Sequence, residues 1–279
     1  MAADDINAWV ATNPAGTDYI DTSDELIRAN WAAVEEMVGG STINLVITRP
    51  TAATVTITAD RLVLLRDAAA AAARPPVYIN QSAINVTGNI TAAGANGLDA
   101  GAEAASTWYF IYIIRDTVNG ATAALLSLSA TAPTMPGTYN YKRLVGAVYN
   151  SAVSNFIDFI QRGNRVIYNG AQNALTAGGA VAYTQIAMTA LLPSIARRAL
   201  WSVYPINSVN NEYTKVFLAD DTNGNYLVAV SGISRIATTW TLFYVEQELV
   251  DGIDVWYYVS SPAGTPTATL DLLGYEINV

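Results

Sequence analysis

An all-β protein of sandwich or jelly-roll type, with a short N-terminal α-helical arm, is what this 279-residue sequence predicts. Three observations carry the prediction. From Ile43 onward β-branched and aromatic residues recur in short runs with the period of strands. The spacers between runs, such as "TVNGAT" and "TAPTMPGTYN", carry Asn-Gly and Pro turn chemistry. No fixed-period repeat runs along the chain, which disfavours a solenoid or propeller.

Residues 1–42 read as the arm. In "DTSDELIRANWAAVEEMVGG", Thr22 and Glu25 have capping-box spacing and Gly39-Gly40 is a terminator. Ile27, Trp31, Val34 and Val38 then fall on one apolar stripe. A helix of about four turns is marginal alone. The stripe is therefore expected to pack either on the protein's own body or on a neighbouring subunit or helix bundle, and these four residues are the candidate attachment surface.

Residues 43–170 read as a β-rich middle domain. "ATVTITADRLVLLRD" places Val55 and Ile57 on one face and Thr54, Thr56 and Thr58 on the other. The alanine run Ala68 to Ala73 stops at Arg74-Pro75-Pro76 and reads as a turn of helix or a loose connector. "STWYFIYIIRD" alternates Trp108, Phe110 and Tyr112 with Tyr109, Ile111 and Ile113. A strand apolar on both faces is expected to be central and covered twice. After Asn169, "GAQNALTAGGAVAY" reads as a linker into a C-terminal β-sandwich over 171–279, with strand runs such as "RALWSVYPI", "TKVFLAD" and "VWYYVSS".

Composition narrows the function. Charged residues are 13% of the chain and hydrophobic residues 52%, so much of the surface must be Thr, Ser, Asn, Gly and Ala. The net charge of −9 with only two lysines, Lys142 and Lys215, argues against a nucleic-acid partner. Scattered arginines argue against a polybasic membrane patch. The apolar run "WYFIYII" is too short to cross a bilayer as a helix, and "MAADDINAWV" has no basic or apolar region of a secretory signal. Absent Cys and His remove disulfides, thiolate nucleophiles, imidazole bases and the usual zinc ligands. No catalytic, cofactor or metal site is therefore assigned, and no P-loop, dinucleotide or G-x-S-x-G motif is present.

The blocks "GANGLDAGAEAASTWYFIYII", "ALLSLSATAPTMPGTYNYKRLVGAVYN" and "FIDFIQRGNRVIYN", in this order, resemble a module of tailed-bacteriophage virion proteins, chiefly tail-fibre and tail-tip or receptor-binding proteins. "ATVTITADRLVLLRD" and "DTSDELIRANWAAVEEM" are similar to segments of the same proteins, where such a helix sits near an attachment end. The resemblance covers residues 17 to 170 well and the last hundred residues only in style. It implies a non-enzymatic structural or adhesive subunit, homotrimeric, made in the host cytoplasm and incorporated in the virion beside other tail or capsid proteins. Tail fibres often carry long β-helical or coiled-coil shafts, which this chain lacks, so a capsid-surface decoration or head fibre is the alternative.

Four further features carry candidate chemistry. Glu246 and Glu248 lie two apart on an expected strand, roughly 6–7 Å between Cα atoms, loosely compatible with a polysaccharide depolymerase but read first as a solvated strand end before a hairpin turn at Asp251-Gly252. Asp220, Asp221, Asn223 and Asn225 could donate oxygens to Ca²⁺, while Asn223-Gly224 is also a strong hairpin signal. The sequons at Asn80, Asn85 and Asn89 read as Thr/Asn-rich strand surface. Trp240, Trp256, Tyr257 and Tyr258 could stack on sugar rings of a bacterial surface glycan, although strand alternation must bury about half of them.

Overall fold

The computed structural model describes residues 42–68, 77–80, 82–225, 228–234, 242–250 and 252–278. The expected arm helix, with Ile27, Trp31, Val34 and Val38, lies outside these residues, as do Trp240 and most of the alanine run. The described chain is all-β. Its strands are β1 (Thr42–Ile43), β2 (Val46–Thr51), β3 (Thr54–Ala59), β4 (Arg61–Arg66), β5 (Val77–Asn80) and β6 (Ile84–Asn89). They continue as β7 (Gly97–Leu98), β8 (Thr107–Asp116), β9 (Ala121–Ser127), β10 (Tyr141–Asn150), β11 (Phe159–Arg162), β12 (Arg165–Gly178) and β13 (Thr184–Ile186). The last six are β14 (Ala196–Asn207), β15 (Glu212–Ala219), β16 (Val228–Ser234), β17 (Phe243–Glu248), β18 (Val255–Ser260) and β19 (Pro266–Ile277). No helix among the described residues is long and apolar enough to cross a membrane.

Three sheets result. The first is seven-stranded, ordered β1-β4-β10-β8-β9-β7, with β5 on β4; the second is eight-stranded, β17-β14-β19-β12-β11-β2-β3-β6; the third is four-stranded, β13-β18-β15-β16. All named pairings are antiparallel except β7 with β9.

The period-2 expectation holds where it was clearest. In β3, Val55, Ile57 and Ala59 are buried while Thr54, Thr56 and Thr58 are half-buried on the other face, where Thr56 Oγ1 meets Thr87 Oγ1 of β6 at 3.0 Å. Strand β8 is central, between β10 and β9, and is covered twice. Tyr109, Ile111 and Ile113 enter the main core, whereas Phe110, Tyr112 and Ile114 enter a second one that Met135 and Tyr139 of the loop between β9 and β10 help to close. The phenols on β8 find partners: Tyr109 Oη accepts from the Ala104 N–H at 2.8 Å and Tyr112 Oη donates to the Ser129 carbonyl at 2.9 Å. Burial, aided by Asp99, pushes the Tyr112 phenol up to about 12.

The expected linker after Asn169 is not one. The chain runs on as β12, pairing with β11 on one side and β19 on the other, and Thr42–Val279 is one compact unit. The expected boundary at 170/171 therefore falls inside a strand of the eight-stranded sheet, which holds β2, β3, β6 and β11 together with β14, β17 and β19. The misreading has a physical cause. The Ala, Gly and Asn residues of β12 have low strand propensity, and its register against β19 shifts three times between Ile167 and Gly178, so no clean alternation survives.

An aromatic seam joins the first and second sheets across the expected boundary. Trp108 of β8 lies 5.2 Å from Tyr149 of β10 and 6.2 Å, edge-on, from Tyr275 of β19. Tyr275 in turn is 5.8 Å from Tyr168 of β12. Tyr275 Oη donates to the Ala147 carbonyl at 3.3 Å, and Trp108 Nε1 to the Thr189 carbonyl at 2.8 Å. Burying one large apolar side chain contributes roughly 1.5–3 kcal/mol. Four such rings at one seam make independent folding of the two halves unfavourable.

Candidate functional site

The third sheet places aromatic side chains on the face turned away from the core. On β18, Val255, Tyr257 and Val259 are buried while Trp256, Tyr258 and Ser260 are half-buried on the opposite face. On β15, Thr214, Val216 and Leu218 point inward, and Tyr213, Lys215 and Phe217 outward. The register opposes Phe217 to Tyr258 and Ala219 to Trp256. Gln185 of β13 lies on the other side of Trp256.

This alternation corrects one sequence-based candidate. Tyr257 is 6% exposed and belongs to the main core, so it cannot stack on a ligand. Trp256 and Tyr258 are on the outward face. Phe217 lies parallel to Tyr258, with ring centroids 4.3 Å apart and planes 5° apart. Tyr183 meets Tyr258 edge-on, at 4.9 Å and 85°. Neither Phe217 nor Tyr183 was singled out from the sequence. The period-2 pattern of "YTKVFLA" could have found Phe217, since it puts that ring opposite Val216 and Leu218; nothing local marks Tyr183.

A polar rim surrounds these rings. Gln185 Nε2 donates to Asp254 Oδ1 at 2.9 Å. At the other border, Asp221 Oδ1 accepts from the backbone N–H groups of Asn223 and Asn225 at 2.9 and 3.0 Å. Its Oδ2 accepts from the two side-chain amides at 3.3 and 2.7 Å. These bonds, the Asn225 N–H foremost, hold the Asp221 carboxyl below the usual carboxylate range. The turn packs on Tyr183: a Cβ at Gly224, where φ is +77°, would stand 2.7 Å from Tyr183 Oη. Asp221 is thus the acceptor that closes a hairpin turn, and its partner Asp220 turns inward to accept from the Val250 N–H at 2.7 Å. Among the described residues no three His, Cys, Asp or Glu side chains converge on a metal position.

Glu246 and Glu248 do share one face of β17, as their spacing predicts, and there they join an ion-pair ladder over four strands. Arg198 on β14 donates through Nε to Glu248 at 2.8 Å, and its Nη1 lies 3.0 Å from Glu276 and 3.6 Å from Glu246. Arg165 on β12 reaches Glu246 at 3.3 Å and Glu276 at 3.4 Å. The Glu248 hydrogen bond, with the neighbouring carboxylates, raises the Arg198 pKa. One guanidinium therefore bridges both carboxylates, in the space where a glycosidase pair would flank its scissile bond.

A cleft of about 770 Å³ beside β5 and β6 is lined by Tyr78, Asn80, Asn85, Arg115 and Thr122 among others. Arg115 lies over the Tyr78 ring at 5.4 Å and donates to Thr122 Oγ1 at 2.8 Å.

No family model matches the sequence, and no curated protein matches it. Among solved structures, the chain is similar to a cycloalternan-forming enzyme from Listeria monocytogenes in complex with a pentasaccharide substrate. The identity is 12% and the TM-score 0.25, over 83% of this chain and 20% of that one. It is also similar to a Bacillus thuringiensis Cry1Da tryptic core variant, at 8% identity and TM-score 0.21, over 88% of this chain and 54% of that one. The chain thus spans a fifth of the first protein and about half of the second. Likenesses this slight carry no inference about fold or function.

Proposed function

We propose that the protein is a non-enzymatic subunit of a tailed-bacteriophage virion, a tail-fibre or tail-tip protein that contacts the host receptor. In this reading its sheets pack as a sandwich of jelly-roll type, it assembles as a homotrimer, and its N-terminal arm holds the particle. The observation that carries the reading is a contrast between two surfaces. The carboxylates that could hydrolyse a polysaccharide are bridged by Arg198, while Phe217, Trp256 and Tyr258 stand outward, outside both hydrophobic clusters. The outward aromatic rings are thereby separate from the Glu246/Glu248 pair that the sequence singles out for acid–base work. The ordered sequence blocks that resemble tail-fibre proteins supply the virion context.

A capsid-surface decoration or head fibre is the second reading, favoured by the lack of a repetitive shaft among the described residues. Imaging intact particles with a tag on this protein tests both: label at the tail supports the first and label on the capsid the second. Absence from purified particles contradicts both. A depolymerase would release reducing ends from host capsule or lipopolysaccharide and lose that activity with Glu246→Gln or Glu248→Gln. The expected result is no release.

A further inference from the structure

We propose that the outward cluster on the third sheet, Phe217, Trp256 and Tyr258 with Tyr183, is a binding site for neutral sugar rings of a bacterial surface polysaccharide. The proposal rests on the receptor-binding reading and adds to it the place and the chemical class of the ligand.

The first argument is burial. All four rings are half-buried, yet none belongs to either hydrophobic cluster or to the side chains packed against them. Their apolar surface is therefore not needed to close the core beneath, where Val216, Leu218, Val255, Tyr257 and Val259 already pack.

Size and charge choose the occupant. An aromatic side chain carries about 150–250 Å², so four half-buried rings offer at most on the order of 300 Å² in all. A stable protein partner needs roughly 800 Å² per side, whereas one or two pyranose rings are covered by far less. The border carries the carboxylates of Asp221 and Asp254. Among the described residues the outward face carries one cation, Lys215, over the Tyr213 ring at 5.5 Å, and the two border carboxylates outnumber it. Anionic polymers are thus disfavoured. The amides of Gln185 and Asn225 and the Asp254 carboxylate border the rings, where sugar hydroxyls need donors and acceptors. Tyr258 is also held in place before binding, between the parallel Phe217 and the edge-on Tyr183, so little rotamer freedom remains to be lost.

The test uses the full chain on an array of bacterial surface polysaccharides, neutral and uronate-containing. Binding confined to neutral polymers is expected. The double substitution Trp256→Ala/Tyr258→Ser should weaken it at least tenfold. A second variant guards against misfolding: Ala229 is exposed and opposes Phe217 across β15 and β16, so Ala229→Glu adds a charge beside the rings without removing one, and should also abolish binding. No binding, binding of acidic polymers only, or neutral binding indifferent to both variants overturns the proposal. Mass spectrometry of purified particles keeps the two readings apart. A protein present in particles but silent on the array leaves the virion reading standing without this site. A protein absent from particles that binds through these rings leaves the site and removes the virion reading.

Discussion

Trp201 Nε1 donates to Gln247 Oε1 at 3.1 Å, with both side chains fully buried, and Gln247 Nε2 passes the link on to the Ala219 carbonyl at 3.1 Å. One amide thus ties β14 and β17 of the second sheet to β15 of the third, the strand that carries Phe217. Gln247→Leu would keep the volume and orphan both the indole N–H and the Ala219 carbonyl. Each orphaned group costs about 1–3 kcal/mol, so the melting midpoint should fall by roughly 5–15 °C. Adding Trp201→Phe removes one orphan, and the double variant should lose less than the sum of the singles. Additive losses in a thermal melt would show that this bridge is not a coupled unit.

The β12–β19 pairing depends on a glycine. A Cβ at Gly274 would stand 2.1 Å from the Val166 carbonyl oxygen and 3.0 Å from the Ile167 Cα, both backbone atoms that no rotamer change can move. At Gly179 the nearest neighbour of such a Cβ is 3.5 Å away. Gly274→Ala should therefore give insoluble or strongly destabilised protein. Gly179→Ala should express normally with stability unchanged or raised by a few tenths of a kcal/mol, through the unfolded chain. Equal solubility and melting of the two variants would contradict this packing.

The hairpin after β8 should be acid-sensitive through one carboxylate. Asp116 Oδ2 accepts from the Thr138 hydroxyl and from the Asn119 amide at 2.6 Å, and Oδ1 from the Val118 and Asn119 N–H groups at 2.8 and 3.1 Å. The Thr138 bond foremost, with the Asn119 and Val118 bonds, holds its carboxyl well below the usual carboxylate range against the opposing effect of burial. A depressed native pKa contributes stability that is complete above the unfolded value of about 3.9. That contribution is lost as pH falls from there through the native value. Asp116→Asn should thus melt below the parent at pH 7, and the gap should narrow below about pH 4. A gap unchanged between pH 7 and pH 2.5 would rule out this source of acid sensitivity.

Local pattern made the strands legible and left their partners hidden. The doubled apolar faces of "STWYFIYIIRD" announced a central, twice-covered strand because alternation is written in consecutive residues. Nothing local announces that β11 lies on β2, 114 positions apart at the Gln161–Ile47 pair, or that β14 lies on β19. The same limit applied to the candidate site. Trp256, Tyr257 and Tyr258 read as one aromatic group, but adjacent strand residues face opposite ways, which sends Tyr257 to the core. Phe217 joins the group only through a cross-strand register. Gly146 shows how a bulge escapes notice: its missing Cβ makes room for Gln161 Oε1, 2.5 Å from where that atom would be, and the reason lies on another strand.

The arm offers the sharpest test of which end holds the particle. Thr42–Val279 is one compact unit whose cores draw on strands from β2 to β19, and every described strand pairs inside it. Removing residues 1–41 should accordingly leave a soluble protein with the far-ultraviolet spectrum of a β protein and a melting midpoint within a few degrees of the parent. The stripe of Ile27, Trp31, Val34 and Val38, read from the sequence as an amphipathic face too short to stand alone, then has its consequence in assembly. Replacing Ile27, Trp31 and Val34 together with Ser should abolish incorporation into particles while polysaccharide binding by the free protein persists. Normal occupancy of the triple variant would place attachment elsewhere. Loss of polysaccharide binding along with incorporation would mean that the arm also supports the third sheet's outward face.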